Sequence, residues 1–331
     1  MEVSKIKDLV RTLKAGFSKG DSDGYGKFIY FVNDRIMSYN GEISVVAQIE
    51  NVNAEFALPF VEFEKFINRV KGKEITITVD TEVTIKCGRA KAHFKIDSEA
   101  IKKIKELTYS PGDMKPLPSN FIEGLQLVGH SFGMTKDIPY TQFVSIKNNI
   151  MFSTNNWTVS RYEFTENVDD MIIPKKIVPF LIKEKFDSYV IVKGLAYFRT
   201  VNKVFFVVRL SDEEMPDIEE YFEMEGQVFE FPNDMIDVVT TAEVAVDALN
   251  LVEKIINIKV KDGLLTCESK SDDLTIDVEC ECESDVDFDI DTGSRFLADI
   301  LGLTNKVYVD TNKLLFKTDN FKHIVVLFDD N

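Results

Sequence analysis

The sequence predicts an α+β protein assembled from six similar units, and three observations carry that prediction. Amphipathic helix patterns recur at nearly constant spacing, each is followed by three strand patterns, and connector-like stretches part the units into pairs. The apolar stripes begin at residues 6, 63, 121, 177, 235 and 296, so that successive gaps are 57, 58, 56, 58 and 61 residues. One helix-plus-strands unit returning at such a period is an internal repeat. A chain of 331 residues can hold two or three domains, each burying its own core.

The helix pattern is clearest over Phe60–Lys73. Phe63, Phe66, Ile67 and Val70 fall at i, i+3, i+4 and i+7 and form one apolar stripe, with Lys65 and Arg69 off it. The same stripe is made by Ile6, Leu9, Val10 and Leu13, by Phe121, Leu125, Val128 and Phe132, and by Ile177, Phe180 and Leu181. It returns in Met235, Val238, Val239 and Ala242, and again in Phe296, Leu297, Ile300 and Leu301.

Runs rich in Val, Ile, Phe and Tyr follow each helix, separated by turn dipeptides such as Asn40-Gly41, Gly88-Arg89, Asn148-Asn149 and Asp262-Gly263. They are Lys27–Val32, Arg35–Tyr39 and Ile43–Ile49; Glu74–Val79, Glu82–Cys87 and Ala90–Ile96; Thr141–Lys147, Ile150–Thr154 and Trp157–Phe164. The second half repeats them as Ser188–Val192, Leu195–Val201 and Val204–Leu210; Ile255–Lys261, Leu264–Ser269 and Leu274–Glu283; Lys306–Asp310, Lys313–Thr318 and His323–Phe328. Each unit is thus a helix and a three-strand meander, with a further pairing strand expected just upstream of each helix. The Pro/Gly connector from Ser110 to Pro118 and the acidic stretch Ser211–Glu225, read as a solvated linker, place three domains at 1–110, 116–211 and 226–331. The acidic run Asp285–Asp291 alternates with Val, Phe and Ile, the pattern of a charged sheet edge that resists aggregation.

Composition narrows the function. No apolar run is long enough for a membrane helix, and Met1–Lys14 is a charged amphipathic segment rather than a signal peptide. Four scattered cysteines (Cys87, Cys267, Cys280, Cys282) make no disulfide framework, which suits a reduced, cytoplasmic protein. A net charge of −17 argues against a surface that coats nucleic acid as a whole. The positive charge is nevertheless localised: the helix segments Ser4–Lys14, Phe60–Lys73 and Pro174–Lys185 carry +3, +2 and +3, whereas Pro232–Leu249 carries −4.

Sequence patterns that resemble catalytic motifs fail on context. Gly129-His130-Ser131-Phe132-Gly133 has the G-x-S-x-G spacing of a nucleophile elbow, but it closes a helix instead of joining a strand to one. Asp21-Ser22-Asp23-Gly24 has the start of a calcium loop, yet Val32 stands where a bidentate Glu is required. His93, His130 and His323 are isolated. The expectation is a protein that is not an enzyme and needs no metal or cofactor.

With the repeat in place, the chain resembles a DNA polymerase sliding clamp of the bacterial beta-subunit type, in a divergent, phage-like form. The resemblance spans nearly the whole chain. It is most specific from Asp137-Ile138-Pro139-Tyr140 through Val144-Ser145-Ile146 to Phe152-Ser153-Thr154-Asn155-Asn156-Trp157-Thr158-Val159, with Ile173-Pro174-Lys175-Lys176 and Phe231-Pro232-Asn233-Asp234 as helix openings. Asn155-Asn156 departs from the family's Asp-Gly, Trp157-Thr158 from its His-Arg, and the C-terminus from its proline.

The resemblance implies three domains of DNA-clamp type with helices lining a channel and antiparallel sheets outside. It further implies head-to-tail homodimers closed into a ring around double-stranded DNA, a tethered DNA polymerase and a possible clamp loader. Helical phase then nominates Lys7, Arg11, Lys65, Arg69, Lys175, Lys176 and Lys183 for the channel. The acidic fifth helix, with Asp234, Asp237, Glu243 and Asp247, implies either that these acids turn to the rims or that DNA is held less evenly there. Carried over by motif, a hydrophobic peptide pocket between the central and C-terminal domains would use Thr154, Trp157, Val159, Pro216, Tyr221, Val326, Leu327 and Phe328. Two other classes compete: a β-rich viral structural or interaction protein, and a serine hydrolase using Ser131.

Overall fold

A computed structural model gives the architecture. It describes residues 1–18, 24–32, 34–50, 52, 54–105, 111–133, 137–224, 226–250 and 253–328. Asp21, Ser22 and Asp23 of the candidate calcium loop, Asn33, Ser110 of the first connector and the C-terminal Asp329-Asp330-Asn331 fall outside the described residues.

Each of the six units shows its helix and its meander of three antiparallel strands. The expected upstream strand is present before five of the six helices, as Phe56–Pro59, Lys115–Pro116, Met171–Pro174, Gln227–Glu230 and Phe288–Gly293; the first helix, which starts at Val3, has only the bridge Glu2 to Glu74 before it. Three expectations are corrected. The second helix stops at Arg69 and not Lys73, because Val70 is already extended (ψ 140°) and Gly72 packs against the Cys87 thiol, where no Cβ fits. The fourth shrinks to Val178–Leu181 after a 3-10 turn at Lys175–Ile177, with Pro179 in the first turn, where its missing N–H is harmless. A seventh helix, Ser98–Lys105, went unread, although Asp97 accepts the Ala100 N–H as a cap and Ile101 and Ile104 supply an apolar stripe.

The contacts gather into two compact units, Met1–Ser119 with Ile177–Ser211, and Asn120–Lys176 with Asp212–Asn331. Each is built on an eight-stranded sheet that joins two distant meanders. In the first unit the order is Phe56–Pro59, Phe28–Val32, Arg35–Tyr39, Ile43–Gln48, Phe205–Arg209, Leu195–Thr200, Phe186–Val192, Lys115–Pro116. Its seam pairs Val46 with Phe205 and Ser44 with Val207. In the second unit the order is Met171–Pro174, Phe143–Lys147, Ile150–Thr154, Thr158–Glu163, Phe321–Val326, Lys313–Lys317, Lys306–Val309, Gln227–Glu230, and the seam pairs Val159 with Ile324.

The two seams follow one rule. The third strand of unit one meets the third strand of unit four, and that of unit three meets that of unit six. The third strands of units two and five, Ala90–Lys95 and Thr275–Glu281, remain as edges of a three-stranded and a four-stranded sheet. The acidic strand Phe288–Gly293 forms the other edge of the four-stranded sheet, and Lys259 and Asn257 bind its Asp289.

The core lies between sheets and helices. Phe31 stacks on Phe56 (centroids 4.4 Å) and meets Phe63 edge-on at 6.0 Å, which fastens the sheet to helix Phe60–Arg69. Phe63 and Ile67 are fully buried, each worth roughly 1.5–3 kcal/mol. Phe66, expected on the same stripe, is only half-buried. In the second unit Gly133 follows the turn Gly129–Ser131, and its N–H bonds to the Thr141 carbonyl at 3.1 Å. A methyl group there would lie 2.6 Å from that carbonyl oxygen. The glycine thus serves close backbone approach. Gly133→Ala should lower the unfolding free energy by roughly 1–3 kcal/mol, read as a shifted urea midpoint with unchanged slope.

Candidate functional site

Two surfaces collect the nominated residues. The first is a face of the eight-stranded sheet in the second unit. Strand pairing puts Phe152, Val159, Leu315 and Ile324 on one side, and all four are buried. They are covered by Ile218 and Phe222 of the segment 212–224, with Met215, Met224 and Tyr308 around them. The expectation of a solvated linker is therefore corrected. Its acids face outward, while Met215, Ile218, Phe222 and Met224 form the apolar stripe that charge counting passed over.

Polar contacts fix the segment in place. Arg161 is buried to 8% exposure, and its guanidinium reaches Glu219 at 3.3 Å and Glu163 at 3.0 Å. Lys313 donates to the carbonyls of Tyr221 (3.0 Å) and Glu223 (3.1 Å). Both are charge-assisted bonds, stronger than neutral ones.

At the end of this face lies the turn Asn155–Trp157. Asn155 Oδ1 accepts the N–H groups of Trp157 (2.9 Å) and Thr158 (2.7 Å), and Asn156 takes a left-handed conformation at φ 76°. The first asparagine thus bonds as an aspartate would, and the second adopts the backbone a glycine would. The departure from Asp-Gly preserves the turn. Thr154 Oγ1 braces it by donating to the Thr158 carbonyl at 2.9 Å.

Trp157 stacks on Phe328 with centroids 4.8 Å apart, and the Val326 N–H bonds to the Trp157 carbonyl at 2.8 Å. Of the eight nominated pocket residues, Trp157, Val326 and Phe328 form one half-buried aromatic rim. Val159 belongs to the covered cluster, and Thr154 and Leu327 are buried. Pro216 is half-buried in the segment, and Tyr221 stands 55% exposed beside it. Residues that sequence reasoning missed here are Met215, Ile218, Phe222 and Tyr308.

The second surface is cationic. In the first unit Lys65 and Arg69, both exposed, join Lys71 and Arg89 around an open cleft of about 480 Å³ whose lining holds no acid. Lys7 donates to the Val70 carbonyl at 3.2 Å, and so completes the end of helix Phe60–Arg69. Arg11 meets Asp8 at 3.5 Å with both side chains at least 74% exposed, a pair worth little in water. Lys183 lies 6.0 Å from the Phe180 ring. Lys175 and Lys176 belong to the second unit, and burial lowers the pKa of both. The nominated channel residues are thus divided between the units. The acidic fifth helix spans only Met235–Glu243, which leaves Asp247 in the turns after it; Glu243 and Asp247 both bind Lys254, the former at 3.2 Å, so part of the acidic charge is neutralised within the unit.

The nucleophile-elbow pattern acquires a structural role. Ser131 is fully buried; its hydroxyl meets Ser160 at 2.8 Å, and Ser160 meets His323 Nδ1 at 2.7 Å. His323 Nε2 is buried with no hydrogen-bond partner. Burial, reinforced by nearby His130, lowers the His323 pKa from 6.5 to about 3. No substrate reaches this chain of hydroxyls. The four cysteines are free thiols, and burial pushes Cys267 up to about 12 and Cys280 to about 11, which keeps these two protonated at neutral pH. Among the described residues no helix is long and apolar enough to cross a membrane.

No family model and no curated protein matches the sequence. Solved structures do match in fold. The beta chain of DNA polymerase III from Streptococcus pneumoniae TIGR4 aligns at TM-score 0.84 with 15% identity, over 99% of this chain and 98% of that one. The beta subunit of DNA polymerase III from Thermotoga maritima aligns at 0.83 with 15% identity, over 100% and 99%. A DNA polymerase sliding clamp from Pseudomonas aeruginosa aligns at 0.80 with 12% identity, over 99% and 98%. The chain has their fold from end to end.

A proton-linked prediction follows from His323. Its folded pKa lies below the unfolded value, so its contribution to stability is complete above pH 6.5 and is lost as pH falls from 6.5 towards 3. The loss is about 1.4 kcal/mol per pH unit, hence about 2 kcal/mol between pH 6.5 and 5. Urea midpoints of the wild type and His323→Gln across that range should show a visibly flatter acid slope in the variant; parallel slopes would refute the assignment.

Proposed function

We propose that this protein is a DNA polymerase processivity factor: a non-enzymatic sliding clamp of three domains, 1–110, 116–211 and 226–331, that closes as a homodimeric ring around duplex DNA. The observation that carries the reading is the seam rule. Third strands pair three units apart, and among the six third strands described only Ala90–Lys95 and Thr275–Glu281 are left as edges. These edges are complementary. The first exposes Lys91, His93 and Lys95; the second exposes Asp277, Glu279 and Glu281. Their alternate residues, Ala92 and Phe94 against Ile276, Val278 and Cys280, are half-buried and apolar. A second copy that supplies the missing partner strand at both edges closes the assembly. The full-length match to clamp structures supports the same arrangement.

Inside the ring, Lys7, Arg11, Lys65, Arg69, Lys175, Lys176 and Lys183 meet phosphates without reading bases, which suits a protein that must slide. The aromatic rim of Trp157 and Phe328, with Val326, Pro216 and Tyr221, takes a short apolar motif of the polymerase or a clamp loader. The working place of such a protein is the cytoplasm, that of a host cell if the chain is phage-encoded. The burial of Ser131 removes the hydrolase reading, and the fold match favours the clamp over an unrelated viral interaction protein.

Light scattering should give twice the 37.8 kDa chain mass. Lys91→Glu with Lys95→Glu should yield monomers, and adding Asp277→Lys with Glu279→Lys should restore the dimer; a wild type that stays monomeric at micromolar concentration would sink the ring. On a primed circular template, Lys65→Glu with Arg69→Glu, or Trp157→Ala with Phe328→Ala, should each reduce polymerase processivity by about tenfold or more, as expected for lost phosphate contacts or a lost hot spot. Unchanged product lengths would remove those residues from the proposed sites.

A further inference from the structure

A second groove lies on the eight-stranded sheet of the first unit. It encloses about 230 Å³ along the seam where Val46 pairs with Phe205. Phe205, Val46 and Val207 form its floor, and Arg35, Arg199 and Lys203 stand around it. In the second unit the corresponding seam lies under Ile218 and Phe222. In the first, helix Ser98–Lys105 lies over the sheet on the side of Tyr30, Met37 and Val46, with Phe205 packed against the margin of that cluster and only half-buried. The groove opens beyond that margin.

Its chemistry selects an occupant. The volume is below the roughly 300–1,000 Å³ of pockets for cofactors and drug-sized ligands, and suits one large side chain with its flanking backbone. The lining is short of hydrogen-bond partners: the Tyr197 hydroxyl, the Gln48 amide and the Lys203 ammonium bond to no described residue. Arg199 is held by Asp187 at 3.0 Å, from outside the lining. No acidic residue lines the groove. An apolar floor beneath cations and open donors fits an extended acidic segment that carries one apolar anchor.

We propose that this seam groove is a second peptide-docking site, separate from the Trp157 rim, which takes an acidic peptide bearing a Leu or Phe anchor. The anchor rests on Phe205 and Val207, flanking carboxylates meet Lys203 and Arg35, and Tyr197 and Gln48 bond the peptide backbone. Both seams of the chain would then present peptide sites, of different charge preference.

The test is fluorescence anisotropy of a labelled probe, Asp-Glu-Leu-Phe-Glu-Asp, titrated with the full chain. Saturable binding is expected, weakened about tenfold by Lys203→Glu with unchanged thermal unfolding, and weakened likewise by Arg35→Glu. Replacing the probe's Leu and Phe with Ser should weaken it similarly, and Trp157→Ala should leave it unchanged. The monomeric Lys91→Glu, Lys95→Glu variant should bind as the wild type does, so failure of the ring reading leaves this result standing. The proposal is overturned by an absence of saturable binding, by wild-type affinity in both charge variants, by equal affinity for the Ser probe, or by loss confined to Trp157→Ala.

Discussion

The fold depends on antiparallel pairing between third strands of repeats that lie far apart in the chain. A three-strand meander with one helix leaves an open edge of unpaired N–H and C=O groups, which water or another strand must satisfy. Joining Ile43–Gln48 to Phe205–Arg209, and Thr158–Glu163 to Phe321–Val326, removes two pairs of such edges and makes two eight-stranded sheets from four meanders. This explains why the compact units cut across the order of the chain: each is defined by a seam. Of the third strands it leaves two with an unpaired edge, where Lys91 and Lys95 stand on one and Glu279 and Glu281 on the other.

The seams create surfaces as well as joining elements. The face of each sheet turned away from its repeat helices carries an apolar stripe across the seam, and that stripe needs cover from elsewhere. The segment 212–224 supplies it in the second unit through Ile218 and Phe222, held by Arg161 and Lys313. Trp157 and Phe328 lie outside that cluster, and their stacked rings are half-open to solvent. In the first unit, helix Ser98–Lys105 covers one side of the seam and leaves the groove at Phe205.

Charge is arranged locally against the overall −17. Lys254 answers Glu243 and Asp247, and Lys259 answers Asp289, so several of the acids that dominate the C-terminal third are already engaged. Lys65, Arg69, Lys71 and Arg89 instead share a cleft with no acid in its lining. Burial has an opposite use at His323, where exclusion of water keeps the imidazole neutral and bonded to Ser160.

Period and alternation were enough to find the repeat, its six helices and their meanders, because those signals depend only on residues near one another in the chain. They also marked Lys65 and Arg69 as facing away from the core, whereas the turn Asn155–Trp157 was singled out by the family resemblance and not by any period. Helix ends were less legible. Val70 leaves the helix because Gly72 must approach Cys87, a contact across 15 positions that no local pattern contains. The seams were illegible for the same reason, since strands separated by more than 150 residues are matched by sheet geometry. Only tertiary structure could therefore show that the acidic linker covers Val159 and that Trp157 stacks on Phe328. It also showed that Ser131, which a spacing rule offered as a nucleophile, is sealed beneath a sheet. The sequence determined what each repeat is; long-range strand pairing decided which repeats meet, because backbone hydrogen bonding sets no limit on separation along the chain.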